Sequence, residues 1–477
     1  MKILLLSRLR LVPEALDAFP RIFKALVSSN VNFRCWRRIS TLFLLCAVSP
    51  SQVFNTVASF DGTNGCGAQY MSFSQGTDGN LYGVTGATNG PGTISELSLH
   101  PKTLTTLLTA LHTFNFTDGH DPYGGLVLAN DGSFYGTAAW GGANNDGTVF
   151  KIDIQGTLTV LHNFDATDGA HPYGLLIQAT DGNFYGTTNA GGGSTLCSGG
   201  CGTVFRMTPT GSLTTLYSFG YVDGANPIAG LVQYPDGDFY GTTFQSAGCT
   251  GGCGTIFKIT GQGDLSTLYE FGDGGYLDAG LTVGADGNFY GTIEDGGIFQ
   301  LTPTGNLTDL GYGGGPMYGG LVQATDGNFY GAGGNTLFQV TSTGTVTTLH
   351  TFCTQEGCPD GNMPAGTLFQ ATNGTLYGTT YDGGTYRCGT VFSLDMGLDS
   401  FVASVRPAGK VGQTGGILGQ AFKGTSNVSL NGTPASFKVL SNTFIESTVP
   451  AGGTTGFFTV TTPSGTLTSN VPFQVIP

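Results

Sequence analysis

Little of this chain is charged: Lys, Arg, Asp and Glu together make up 10% of its 477 residues. Basic groups are scarcer than acidic ones, 17 against 31, so the net charge is −14. A surface of that sign repels phosphate backbones, which makes nucleic acid and anionic lipid poor partners. The sequence carries no nucleophile elbow, HExxH zinc motif, P-loop or Rossmann fingerprint, and the reactions and cofactors written in those motifs are not expected. It has no EF-hand-like Asp-rich loop, and no metal is assigned. No strict Gly-X-Y period runs through its 81 glycines, which excludes collagen.

What is present between the glycines is a steady supply of Val, Leu, Ile, Phe and Tyr, which argues against disorder. Many short strands joined by tight turns use such a mixture. The stretch RCWRRISTLFLLCAVSPSQ places Arg34, Arg37 and Arg38 before an apolar run, Ile39 to Val48, and then the small residues Ser49 and Ser51. That order is a secretory signal, and about ten apolar residues are too few to span a bilayer. Residues 1–51 are therefore expected to be a targeting segment, with no membrane span in the mature chain. Its removal leaves 9 of 17 basic residues against 29 of 31 acidic ones, a net charge of about −20.

One phrase recurs seven times: DGNLYG at 78, DGSFYG at 131, DGNFYG at 181, DGDFYG at 236, DGNFYG at 286 and 326, and NGTLYG at 373. Each copy follows an apolar run such as GLVLA. Most precede a Gly-rich stretch, then GTVFKI or a near copy, then LTTLYSF or a near copy. A unit thus holds four short strands, and Asp-Gly between the first two predicts a two-residue hairpin whose central residues both take positive φ. These Asp residues read as corners, not as repeated acids. The fold class expected is all-β: a seven-bladed β-propeller over residues 52–398, with a solenoid as the rival architecture.

The seventh unit ends at GTVFSLDMG without its fourth strand, while VFNTVASFDG at 53–62 is an orphan copy of that strand. The N-terminal strand can complete the last blade and close the ring. Eight cysteines lie beyond the targeting segment, an even number suited to an oxidising compartment. Cys197 with Cys201, Cys249 with Cys253, and Cys353 with Cys358 read as short disulfide staples, leaving Cys66 and Cys388 for each other. A four-thiolate zinc site is the alternative use of the first two pairs. Residues 399–477 change character to short alternating runs between Gly, Pro and Asn turns, a small β-sandwich.

The unit DGNFYGTT…GTVFKIT…LTTLYSF resembles the GloVer repeat, named for Gloeobacter and Verrucomicrobia-like bacteria and found in exported proteins of uncertain role. The tail, with VRPAGKVGQTGGILGQAF, VSLNGTPASFKVLSNTFIESTVPAG and GFFTVTTPSG in that order, is similar to an IPT/TIG domain, an immunoglobulin-like module. The resemblance implies a bacterial protein, secreted or held at the cell surface. It brings no assigned reaction, and the fold alone fixes none.

Short uniform turns occupy one face of the expected ring, and loops of variable length occupy the other, where function is expected. Asp118, Asp168, Asp223 and Asp360 recur there in TDGHDPYGG and its relatives. They read either as an acidic ring or as members of a repeated turn; bonding to their own turns decides for the latter. The aromatics Trp140, Phe244 and Tyr381 fall at the ends of second strands, with Tyr221, Tyr276 and Tyr386 in the loops, placed to stack on sugar rings or partner side chains. His112, His162 and His350 align with Tyr217 and Tyr269 in the fourth strand and read as packed residues. A catalytic site should break the repeat in one blade, and no such set is evident in the sequence, His120 and His171 being the loop candidates. The expectation is an exported, non-catalytic protein that binds an extracellular glycan or protein surface. A polysaccharide hydrolase or lyase and a purely structural envelope component are the alternatives. No signal specifies an oligomeric state.

Overall fold

A computed structural model describes residues 52–86, 90–99, 107–247 and 253–476. Residues 1–51, expected to be a targeting segment, lie outside them. The described residues form strands and turns, with no helix. Seven four-stranded antiparallel sheets follow one another up to Asp395. In the second sheet the strands are Leu126–Leu128, Phe134–Ala138, Thr148–Ile152 and Leu158–Asn163, paired in chain order. The seventh sheet takes Phe369–Gln370, Leu376–Thr379 and Thr390–Asp395 from one end of the chain and Val53–Ser59 from the other. Cys66 and Cys388 are bonded beside that pairing, 322 residues apart in sequence.

The sheets pack face to face because both residues of the Phe-Tyr pair are buried. Tyr135 stacks on Phe184 of the next sheet at 4.1 Å between centroids, Tyr185 on Phe239 at 4.0 Å and Tyr290 on Phe329 at 3.9 Å. Such offset pairs add to the area they bury. Polar bonds repeat the same step. Thr187 donates through Oγ1 to the Ala229 carbonyl (2.8 Å) and Thr242 to the Ala279 carbonyl (3.1 Å), each one sheet further on. Thr379 of the seventh sheet reaches the Ala68 carbonyl at the start of the first (3.3 Å), and Gln75 of the first accepts the Thr372 N–H of the seventh (3.1 Å).

The turns differ from the expected hairpin. Gly182 N–H bonds the Ala179 carbonyl (2.9 Å) and Ala179 N–H bonds the Asn183 carbonyl (2.8 Å), which makes a three-residue loop, Thr180 to Gly182. Only Gly182, at φ +86°, is left-handed; Asp181 is not among the residues of positive φ. This is a type I turn closed by a glycine bulge. Asp181 is selected for its carboxylate: Oδ1 accepts the Asn183 N–H (2.9 Å) and Oδ2 accepts the Tyr185 hydroxyl (2.9 Å). The same clasp recurs at Asp131 with Tyr135 and at Asp326 with Tyr330.

From Ala403 onward two four-stranded sheets and a parallel pair, Ala408–Lys410 with Gln474–Ile476, enclose a core that includes Val402, Ile417, Phe422, Val428, Ile445 and Val460. This part sits on the Asp-Gly turns. Thr443 Oγ1 donates to the Thr77 carbonyl (2.9 Å), Arg406 Nε to Asn130 Oδ1 (2.7 Å) and Gln420 Nε2 to Thr372 Oγ1 (3.0 Å). Leu418 is buried in the same cluster as Tyr82 and Phe134, with Ala403, Val405 and Phe444 packed against it.

Candidate functional site

The segment leading into each first strand carries one residue at an equivalent place: Tyr70, Tyr123, Tyr173, Ile228, Asp278, Tyr318 and Ala365 in sheets one to seven. Glycine follows most of them because these segments crowd one another. A Cβ on Gly124 would lie 2.5 Å from the Gly174 carbonyl oxygen, and one on Gly366 2.0 Å from that of Met71. The crowded backbones frame a cavity of about 700 Å³ lined by Tyr70, Tyr123, Tyr173, Tyr318, Asp278 and Glu294, among others. Residues just past second strands, Asn189, Phe244 and Glu294, complete the wall. The cavity therefore lies on the face opposite the turns and the C-terminal sheets.

The tyrosines contact one another around the wall: Tyr70 meets Tyr123 edge-on at 6.0 Å and Tyr318 at 6.2 Å, and Tyr123 lies 5.3 Å from Tyr173. Burial raises the Tyr70 hydroxyl pKa, and the negative charges of Asp278 and Glu294 raise it further. Burial likewise raises Tyr123, aided by the charge of Asp121. Both phenols, Tyr70 and Tyr123, are neutral donors at ordinary pH. Asp278 is 9% exposed. Burial, and then the charge of Glu294, push its carboxyl up to about 7. Among the described residues none donates a hydrogen bond to it, yet no buried side-chain oxygen is left unbonded out of reach of solvent. Its oxygens are thus open to the cavity.

Of the residues expected from sequence, Phe244 lines this cavity, and Tyr276 stacks on it at 4.7 Å. Trp140 bridges to His120 in an isolated ladder step and lies 3.8 Å from the His171 ring, outside the cavity wall. Tyr221 is half-buried with its carbonyl bonded to Ala247 N–H, Tyr381 is bonded through its N–H to the Met363 carbonyl, and Tyr386 is exposed. None of the four acids of the expected ring lines the cavity. Each is bonded to its own turn and to the fourth strand: Asp118 to His112 (3.0 Å) and Asn115 N–H (2.9 Å), Asp168 to His162 (2.7 Å) and Asp165 N–H (3.2 Å). Asp223 accepts from the Tyr217 hydroxyl and Gly220 N–H, and Asp360 from His350 (3.0 Å) and Cys353 N–H (3.1 Å). His112, His162, Tyr217 and His350 are clasps for turn carboxylates.

The cysteines pair as Cys66–Cys388, Cys197–Cys201 and Cys353–Cys358. Cys253 is also disulfide-bonded, while Cys249 lies outside the described residues. The bonded cysteines hold no thiolate for zinc.

Sequence reading missed Asp278 and Glu294. The signal was a break in the repeat: YLDAG stands where other units have DPYGG, HPYGL, NPIAG or PMYGG, and TIEDGG where one has TTNAGG.

Consecutive four-stranded sheets packed face to face, with a cavity where their first strands begin, define a β-propeller-like repeat protein. The Gloeobacter/Verrucomicrobia repeat model matches residues 41–197, 86–302 and 198–392, and the chain belongs to that family. No curated protein matches it. Among solved structures, a streptogramin B lyase is similar in fold, with 15% identity and a TM-score of 0.51 over 72% of this chain and 97% of that one. The extracellular domain of a putative hybrid two component system from Bacteroides thetaiotaomicron aligns at 11% identity and a TM-score of 0.47, over 86% of this chain and 57% of that one.

Proposed function

We propose that this is an exported bacterial protein that binds an extracellular glycan in the cavity framed by its first strands, without cleaving it. In this reading residues 1–51 are a cleaved leader, 52–398 a seven-bladed propeller closed by the N-terminal strand, and 399–477 an IPT/TIG-like immunoglobulin module. The observation that carries the binding assignment is the tyrosine-lined cavity of about 700 Å³. That volume is in the range of small-ligand sites, and tyrosines offer both faces for sugar rings and hydroxyls for their polar edges. The four recurring acids, each engaged by its own turn, are not available as a catalytic set.

A second reading, a polysaccharide hydrolase or lyase, is favoured by one observation: Asp278 and Glu294 break the repeat and share the cavity. The test is a polysaccharide panel assayed with residues 52–477 both for retention of the protein and for release of soluble sugar or unsaturated product. Retention without product, lost in Tyr123→Ala and Tyr173→Ala, supports binding. Product that disappears in Asp278→Asn overturns it in favour of the enzyme. No retention on any polymer leaves binding to a protein surface or the structural envelope role.

A further inference from the structure

The cavity holds two carboxylates, and none of its described lining residues is Lys, Arg or His. Elsewhere in the molecule turn carboxylates are supplied with donors, as at Asp168, which bonds His162 and the Asp165 N–H. Asp278 departs from this pattern: it is nine-tenths buried, lines the cavity and receives no hydrogen bond from the described residues. A buried carboxylate without a partner is costly, and a second negative group nearby makes it more so. The arrangement is one that a positive group from outside the chain would complete.

The walls narrow the kind of cation. A hard divalent ion takes six or more oxygen ligands. Among the described residues no group of three potential metal-binding side chains exists. Tyrosine faces instead favour an organic ammonium, through the negative potential over each ring. Tyr70 senses the charges of both Asp278 and Glu294, so an aromatic ring borders the acidic corner. The remaining tyrosines leave room for the body of a sugar.

Resting on the glycan-binding reading above, we propose that the ligand is an amino sugar whose protonated amine sits at Asp278 and Glu294 while its ring lies among the tyrosines. The raised Asp278 carboxyl is expected to ionise when that cation arrives, so binding releases protons. The titratable groups that line the cavity with it are Glu294, Tyr70, Tyr123, Tyr173 and Tyr318.

The experiment is calorimetric titration of residues 52–477 at about pH 6 with two oligosaccharides of equal length, a glucosamine oligomer and its fully N-acetylated counterpart. The charged oligomer should bind at least about tenfold tighter, the advantage expected of one cation–π contact plus one charge-assisted contact. Its measured heat should change with the ionisation enthalpy of the buffer, reporting proton release. Asp278→Asn and Glu294→Gln should each erase most of the preference. Asp168→Asn removes a carboxylate from the turn and should leave it intact, separating the site from overall acidity. Equal or tighter binding of the N-acetylated oligomer overturns the amino-sugar assignment and leaves the glycan reading standing. If neither oligomer nor any polymer of the panel binds, the glycan reading falls first. If tetramethylammonium binds and the glucosamine oligomer does not, the site takes cations but not sugars, and the proposal is overturned.

Discussion

Asp168 and Asp278 occupy the same loop in different repeats, five positions apart in register, and their surroundings are opposite. Asp168 recurs in its neighbours as Asp118 and Asp223, and a fourth-strand His or Tyr and a turn N–H meet each of them. Asp278 stands where the other units have tyrosine, isoleucine or alanine, lines a cavity and has no donor among the described residues. Repetition here marks acids that hold the fold, and departure from repetition marks an acid whose retention the fold does not explain. The two kinds should respond to substitution with opposite signs.

The largest effect is expected at Asp278. Its folded carboxyl is raised from 3.8 to about 7. The folded state therefore binds more protons than the unfolded chain across that window. Stability from this group is fully present below about pH 4 and is lost as pH rises toward 7. Asp278→Asn should stabilise the protein at pH 8 by about 2–4 kcal/mol, at about 1.4 kcal/mol per pH unit less some screening by cavity water, and change little at pH 4. Urea unfolding at the two pH values checks this; a loss of stability at pH 8 would erase the contrast with Asp168.

Asp168→Ala should move the other way, costing about 1–2 kcal/mol at pH 7 because the His162 ring and the Asp165 N–H lose their acceptor. A double-mutant cycle with His162→Ala measures the shared part. Gly182→Ala should cost about 1 kcal/mol through backbone strain alone. The residue stands at φ +86° with nothing within 4 Å of the added methyl. Smallest is Tyr185→Phe, about 0.5–1 kcal/mol, from the lost bond to Asp181. Thermal unfolding of both variants sharpens the account of what the repeated phrase contributes.

The four-strand unit, the orphan strand Val53–Ser59 and its pairing with Thr390–Asp395 were legible because each follows from local alternation and from counting strands. The Cys66–Cys388 bond was legible for the same reason. Turn type was not. Asp-Gly permits two loops, and the choice fell to a tyrosine four residues on, whose hydroxyl takes the Asp carboxylate. The candidate site was legible only in part. Phe244 could be placed by strand register, but Tyr123, Tyr173 and Tyr318 sit beside glycine in what reads as turn punctuation, and Tyr70 stands in a segment, GAQYM, that matches no other unit. Their convergence depends on how first strands gather, which no single unit encodes. Asp278 is visible in YLDAG as a misfit, an acid where the other units carry tyrosine, isoleucine or alanine.

The pairing of Val53–Ser59 with Thr390–Asp395 also fixes an order of events. Val53–Ser59 has no sheet to join until Thr390–Asp395 emerges, more than three hundred residues later. Contacts so distant in sequence are slow to form, and edges left waiting for them invite pairing with other chains. The intervening sheets can assemble one upon another as the chain lengthens, but the seventh stays three strands wide until its missing strand returns. A chain stopped short of Asp395 would keep its cavity-lining tyrosines and lose the surface on which its own first strand comes to rest.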